Sequence, residues 1–214
     1  KIKNVSFKYP EKNETILDNI NLNILKGDKI GIMGSTGSGK STLINLIIGL
    51  LKPTSGEIIL DNNYQVDFHQ WNNQVGLVPQ KVFLIESTIE NNIAFGEKNI
   101  NYKKLDYVVQ KSELSNLILR LPNGLKTNVG ERGLKISGGE QQRIAIARAL
   151  YNNPKVLIFD EATSALDAET EESLINTINK ISQELTILII SHRISTLKYC
   201  EKIFKIEDKK LKNL

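Results

Sequence analysis

Residues 2–7 alternate apolar and polar side chains, and residues 16–24 repeat the pattern through Ile16, Ile20, Leu22 and Ile24. Period-two alternation suits half-buried antiparallel strands, so a small antiparallel sheet is expected near residues 1–27. Residues 29–33 form a short apolar run that enters a glycine-rich turn. Beyond it Leu43, Leu46, Ile47 and Leu50 recur at helical spacing until Pro53, which cannot continue a helix. Further strands are expected at 57–60, 75–78, 156–160 and 186–190. The last two are almost wholly apolar, the pattern of parallel strands covered on both faces. Between Pro79 and Tyr151 the spacing turns helical, with Leu105, Val108 and Val109 in one segment and Leu114, Leu117, Ile118 and Leu121 in the next. This stretch reads as a helical lobe over 81–150, set into an α/β core and sharing an interface with it, since no low-complexity linker separates the two.

Composition narrows the class without naming a function. The 214 residues suit one large domain or a core with an inserted lobe, and 40% hydrophobic with 24% charged residues suits a packed soluble chain. A net charge of +4 is compatible with a polyphosphate ligand and too small to argue for nucleic acid. One cysteine, Cys200, closes no intrachain disulfide, and the N-terminus carries no secretory apolar region, so a reducing cytoplasmic compartment is expected. Apolar runs such as 185–190 fall far short of the roughly 18 residues that a membrane-spanning helix needs. The chain begins at Lys1, inside an expected strand and without methionine, the pattern expected of a piece of a longer protein whose membrane part lies elsewhere.

Three segments carry chemistry. Gly34, Ser35, Thr36, Gly37, Ser38, Gly39, Lys40 and Ser41 match the phosphate-loop spacing between an expected strand and an expected helix. Such glycines let successive N–H groups turn toward phosphate oxygens, Lys40 neutralises the β and γ phosphates, and Ser41 offers a hydroxyl to Mg2+. A flexible turn that merely caps a helix is the plain alternative. Val156 to Phe159 lead into Asp160 and Glu161 at the carboxyl end of a strand, where side chains face ligands in parallel sheets. Asp160 suits the surroundings of Mg2+, and Glu161 is placed to take a proton from water attacking the γ-phosphate, unless the pair simply caps the next helix. Ser137, Gly138, Gly139 and Glu140 open an apolar helix; they read as a capping box, or as a second anion-binding helix start that serves a partner's nucleotide.

Taken in order, these segments resemble the nucleotide-binding domain of ABC transporters, over about residues 2–206. The phosphate loop, the Ile136-Ser137-Gly138-Gly139-Glu140 signature, the Asp160-Glu161 pair and the Ser164-Ala165-Leu166-Asp167 loop fall in the family's order. The resemblance implies a P-loop NTPase: a RecA-like parallel core, an N-terminal antiparallel β subdomain and an inserted α-helical subdomain. It also implies a head-to-tail dimer with two ATP molecules, each gripped by residues 34–41 and Thr42 of one copy and by Ser137, Gly138, Gly139 and Glu140 of the other. Tyr9 falls where the family stacks an aromatic on adenine. Gln80 matches a glutamine that senses Mg2+ and the attacking water, and His192 a histidine that orients the γ-phosphate. His69 fits no motif.

Two stretches, 83–93 and 127–133, look like the segments that exporter-type domains set against intracellular helices. Phe83, Leu84 and Ile85 suit a core equally well. The resemblance therefore implies Mg2+-dependent ATP hydrolysis that drives an exporter, with a second nucleotide-binding domain and a transmembrane domain as partners, at the cytoplasmic face of the plasma membrane. The rival readings are a soluble ABC ATPase of repair or translation and a non-catalytic ATP-binding regulator. The first sits poorly with the 97-residue step from Lys40 to Ser137, which shows no heptads, and the second with the presence of Glu161 and His192. Two positions depart from the family: Ile136 replaces leucine at conserved volume, and Glu140 replaces glutamine. A unit charge ~8 Å from a triphosphate at an effective dielectric of ~20 repels by roughly 2 kcal/mol, unless an arginine such as Arg143 offsets it.

Overall fold

The computed structural model describes residues 1–11, 14–61, 67–130, 136–182 and 185–214. The chain opens with strands β1 (Ile2–Lys8) and β2 (Thr15–Leu22), followed by β3 (Lys29–Met33), helix α1 (Lys40–Ile47) and β4 (Ser55–Ile58). Helix α2 (Phe68–Asn72) and β5 (Val75–Val78) precede four helices: α3 (Ile89–Ile93), α4 (Tyr102–Lys111), α5 (Ser115–Arg120) and α6 (Gly138–Tyr151). Then come β6 (Val156–Asp160), α7 (Ala168–Ile181), β7 (Thr186–Ile190) and the hairpin β8 (Lys202–Glu207) and β9 (Lys210–Asn213).

These form a mixed α/β fold with two sheets. One is antiparallel, ordered β2-β1-β4; the other has six strands ordered β5-β6-β7-β3-β8-β9. In the second sheet β5, β6, β7, β3 and β8 run parallel, and only β9 is antiparallel. The antiparallel sheet is therefore wider than expected, because β4 returns from beyond α1 to pair with β1. Helix α1 ends earlier than its apolar spacing suggests: Gly49 adopts φ 77°, and the Trp71 indole donates to the Ile47 carbonyl at 2.8 Å, satisfying a helix-end acceptor. The closing hairpin has no counterpart in the expected elements, since Lys and Glu interrupt its apolar positions.

Two-sided burial decides where the cores sit. On β6, Leu157 and Phe159 face the helices α3 to α7, while Ile158 faces α1 and the antiparallel sheet. On β7, Ile187 and Ile189 take the first side, Leu188 and Ile190 the second. All five β7 residues are buried, so the continuous apolar run is needed to supply both cores at once. Helix α6 packs on β5, where Gly76 removes the side chain; a Cβ there would lie 2.8 Å from the Ala149 carbonyl. No helix among the described residues is long and apolar enough to cross a membrane.

Candidate active site at the carboxyl edge of the sheet

Parallel pairing brings the ends of β5, β6, β7 and β3 to one edge, and the candidate residues stand there side by side. The β3–α1 loop holds Gly34 to Gly39. Gly37 and Gly39 adopt φ 80° and 102°, backbone that side-chain-bearing residues rarely take, and Gly39 closes against Leu17 of β2. Ser35 and Thr36 are exposed on the loop, while the Ser38 hydroxyl is buried without a partner among the described residues. Lys40 opens α1 and is only 6% exposed. Its Nζ donates to the carbonyls of Gly34 at 2.8 Å and Ser35 at 2.9 Å and lies 3.2 Å from Glu161 Oε1. The buried ammonium is thus shared between two carbonyls of its own loop and the Glu161 carboxylate. Tyr9 reaches the same helix start, its hydroxyl 3.3 Å from Thr42 Oγ1, with its ring edge-on to Phe7.

Glu161 is the hub. Its backbone, directly after β6, sits at φ 48°, the left-handed region that residues other than glycine seldom adopt. Gln80, just after β5, donates from Nε2 to Glu161 Oε2 at 3.0 Å and to Ser164 Oγ at 3.3 Å. His192 Nδ1 lies 3.8 Å from the same Oε2. Burial pushes the Asp160 carboxyl above its usual range, helped by Glu161 beside it, while Lys40 and the Ser41 hydroxyl pull it down. Ser41, Asp160 and Gln80 supply hydroxyl, carboxyl and amide oxygens, the donors a hard divalent cation takes. Among the described residues no group of three or more His, Cys, Asp or Glu forms a metal cage. That donor set fits Mg2+ held partly by phosphate oxygens and water.

The structure thus brings together Gln80, Lys40, Ser41, Asp160, Glu161 and His192, with Tyr9 joined through Thr42. It does not bring the signature to them. Ser137 caps α6 in a full capping box: its Oγ accepts from Glu140 N at 3.4 Å, and its own N–H donates to Glu140 Oε2 at 2.9 Å. Gly138 and Gly139 face Leu166 and Thr170, and a Cβ on Gly139 would lie 2.5 Å from Thr170 Cγ2. Among the described residues no hydrogen bond or ion pair joins residues 137–140 to 34–42. Arg143 does not offset Glu140; it bonds Ser112 O, Glu113, Thr177 and Ser173, and the ion pair to Glu140 comes from Arg120. In the first exporter-like stretch Leu84 is core at 1% exposure, whereas Phe83 is 66% exposed. Of the second, Thr127 to Gly130 are described, with Thr88 bridged to Asn128, while Glu131, Arg132 and Gly133 lie outside the described residues.

Sequence reasoning missed two partners. Ser164, in the loop after Glu161, takes a bond from Gln80; its place in the family's motif order was the available signal. Glu171 is buried and accepts from Thr196 Oγ1 at 2.8 Å, Thr163 Oγ1 at 3.3 Å and Arg193 at 2.5 Å, while Arg193 also bonds the Ser164 carbonyl at 3.2 Å. That network ties the residue after His192 to the loop after Glu161, and no sequence spacing announces it.

Comparison with known proteins agrees with this geometry. The ABC transporter family model matches residues 17–164. A leukotoxin translocation ATP-binding protein of Mannheimia glucosida is 43% identical over 96% of this chain and 29% of its own length. A Staphylococcus aureus protein named for multidrug export, an ATP-binding/permease protein, is 42% identical over 97% of the chain and 36% of its own length. An ABC transporter of Toxoplasma gondii named ATM1 is 40% identical over 94% of the chain and 18% of its own length. The chain thus spans little more than a third of these relatives at most. A solved ATP-bound structure of a bacterial Atm1-family ABC exporter superposes with a TM-score of 0.88 at 37% identity, over 98% of this chain and 37% of that one. The motif order, the edge cluster around Glu161 and these likenesses together establish that the chain belongs to the ABC transporter family.

Proposed function

We propose that the chain binds ATP with Mg2+ and hydrolyses it as the motor domain of an exporter, closing head to tail on a second copy. The observation that carries this is Glu161, a carboxylate within 3.2 Å of Lys40 and bonded by Gln80, with His192 beside it. In this reading the γ-phosphate draws Lys40 Nζ away from Gly34 O, Ser35 O and Glu161. Glu161, released from Lys40, accepts the proton of the attacking water, while Gln80 and His192 orient that water and the phosphate. Ser41, Asp160 and Gln80 would hold Mg2+, which would supply positive charge to offset the triphosphate. Residues 34–39 and Thr42 cradle the phosphates, and Tyr9 stacks on the adenine. Ser137, Gly138, Gly139 and Glu140 complete the partner's site; the Ser137 Oγ already accepts from Glu140 N, so its proton is free to donate outward.

The separation of the signature from the phosphate loop within one chain supports a site completed by a second copy. Residues 1–214 then form one nucleotide-binding domain with 81–150 as its helical lobe. In this reading Gln80, 83–93 and 127–133 transmit closure to a transmembrane domain of the same transporter, and the chain works at the cytoplasmic face of the membrane. Exporter names among the relatives favour this over a repair or translation ATPase. The test uses the full-length protein with intersubunit distance labels. Glu161→Gln is expected to lower hydrolysis by about 100-fold or more while Mg-ATP still draws the two copies together. Hydrolysis undiminished in Glu161→Gln, or no ATP-driven closure, overturns the reading.

A further inference from the structure

Glu140 places a carboxylate in the signature, and Arg120 answers it from another element. Arg120 lies in the last turn of α5 and pairs with Glu140 Oε1 across a 20-residue separation. The other oxygen, Oε2, accepts from the Ser137 N–H at 2.9 Å. The carboxylate is therefore shared between the backbone that sets Ser137 and a cation that cancels its charge. Arg143, closer in sequence, is spent on Ser112, Glu113, Thr177 and Ser173. Burial alone would raise the Glu140 carboxyl, but the Ser137 bonds and the Arg120 guanidinium outweigh it and hold the group ionised at neutral pH.

We propose that Arg120 is a positioning residue for the half-site offered to the partner copy: through Glu140 it steadies the Ser137 cap and neutralises the carboxylate where the partner's triphosphate docks. This rests on the head-to-tail reading above. A carboxylate only accepts hydrogen bonds, so it serves the Ser137 N–H and the guanidinium together. A glutamine in its place accepts from Ser137 but turns an amide donor toward Arg120. Arg120 and Glu140 thus form a matched pair, and removing the arginine alone leaves a bare negative charge facing a polyanion, a repulsion worth more than tenfold in affinity at ~8 Å and an effective dielectric of ~20.

The experiment measures the ATP concentration for half-maximal closure in the full-length protein carrying Glu161→Gln, so that hydrolysis does not intervene. Arg120→Gln is expected to raise that concentration about tenfold. Arg120→Lys, which keeps the charge, is expected to stay within about threefold of the parent. In an E140Q background, Arg120→Gln is expected to add less than about twofold. Arg120 is 69% exposed on its side chain, and exposed ion pairs add little to folding stability. The melting temperature of Arg120→Gln should therefore stay within about 2 °C of the parent, which separates this role from a structural one. An Arg120→Gln shift under threefold, or an equal shift in the E140Q background, overturns the proposal while the parent's closure upholds the head-to-tail reading. A parent that does not close with ATP overturns both.

Discussion

Gly39 shows how one residue joins loop geometry to ligand geometry. It caps α1 at φ 102°, and a Cβ there would lie 2.9 Å from Leu17 Cδ2 and 3.2 Å from Ile16 Cγ2. Gly39→Ala is expected to cost about 1–3 kcal/mol in backbone strain. At roughly 2–4 °C per kcal/mol the melting temperature falls by several degrees. Because relief of the strain turns the N–H groups of 37–40, ATP affinity should fall at least tenfold, a result that titration with a fluorescent ATP analogue would read. The glycine was legible from its spacing alone, since only glycine tolerates such φ. The ring of strand β2 side chains around it was not, because Ile16 and Leu17 reach it through the tertiary fold.

At the scale of elements, α6 ties the signature to residues 80–92. Its first residues form the signature, Gln142 Nε2 donates to the Gln80 carbonyl at 3.2 Å, and Arg148 near its end forks to Asn92 O at 2.7 Å, Asn92 Oδ1 at 3.1 Å and Phe83 O at 2.9 Å. Three acceptors on one guanidinium use its planar fork, which an ammonium lacks. Arg148→Ala is expected to take the guanidinium from the Asn92 and Phe83 carbonyls, while Asn92 Oδ1 keeps the Ile85 N–H at 2.9 Å, and to cost about 1–3 kcal/mol. Amide exchange should then quicken across 83–93 while β3, β6 and β7 keep their protection, and Arg148→Lys should recover less than half of the loss. The helical periodicity of 138–151 was readable in sequence. Its role as a tie between residues 80–92 and the signature was not, because 56 residues separate Arg148 from Asn92.

Across the whole molecule, a buried ionic network holds the carboxyl edge of the sheet to the surrounding layers, and it carries a pH signature. Glu171 is 7% exposed and joins α7 to the residues after β6 and β7. Burial alone would raise its carboxyl, but Thr196, Arg193 and Thr163 outweigh that and hold it below the ordinary 4.5. A folded-state value below the unfolded one gives stability that is fully present above pH 4.5 and lost as pH falls through the lowered value. Glu171→Gln is expected to destabilise the protein by about 2 kcal/mol at neutral pH. Thermal melts across pH should show a constant gap to the wild type above about pH 5.5, narrowing below 4.5 as the wild-type carboxylate takes up its proton.

Local chemistry, by itself, determined the strands 29–33, 75–78, 156–160 and 186–190, the helical periodicity of the lobe and the phosphate loop. Each is written in neighbours a few residues apart, through side-chain period, glycine freedom or strand-end acids. Tertiary structure alone decided the strand order β5-β6-β7-β3-β8-β9, the return of β4 to β1, and the pairings Arg120–Glu140 and Arg193–Glu171. These contacts join residues whose sequence separation carries no period, so they exist only once the sheet has set which strand ends stand side by side and which helices cover them.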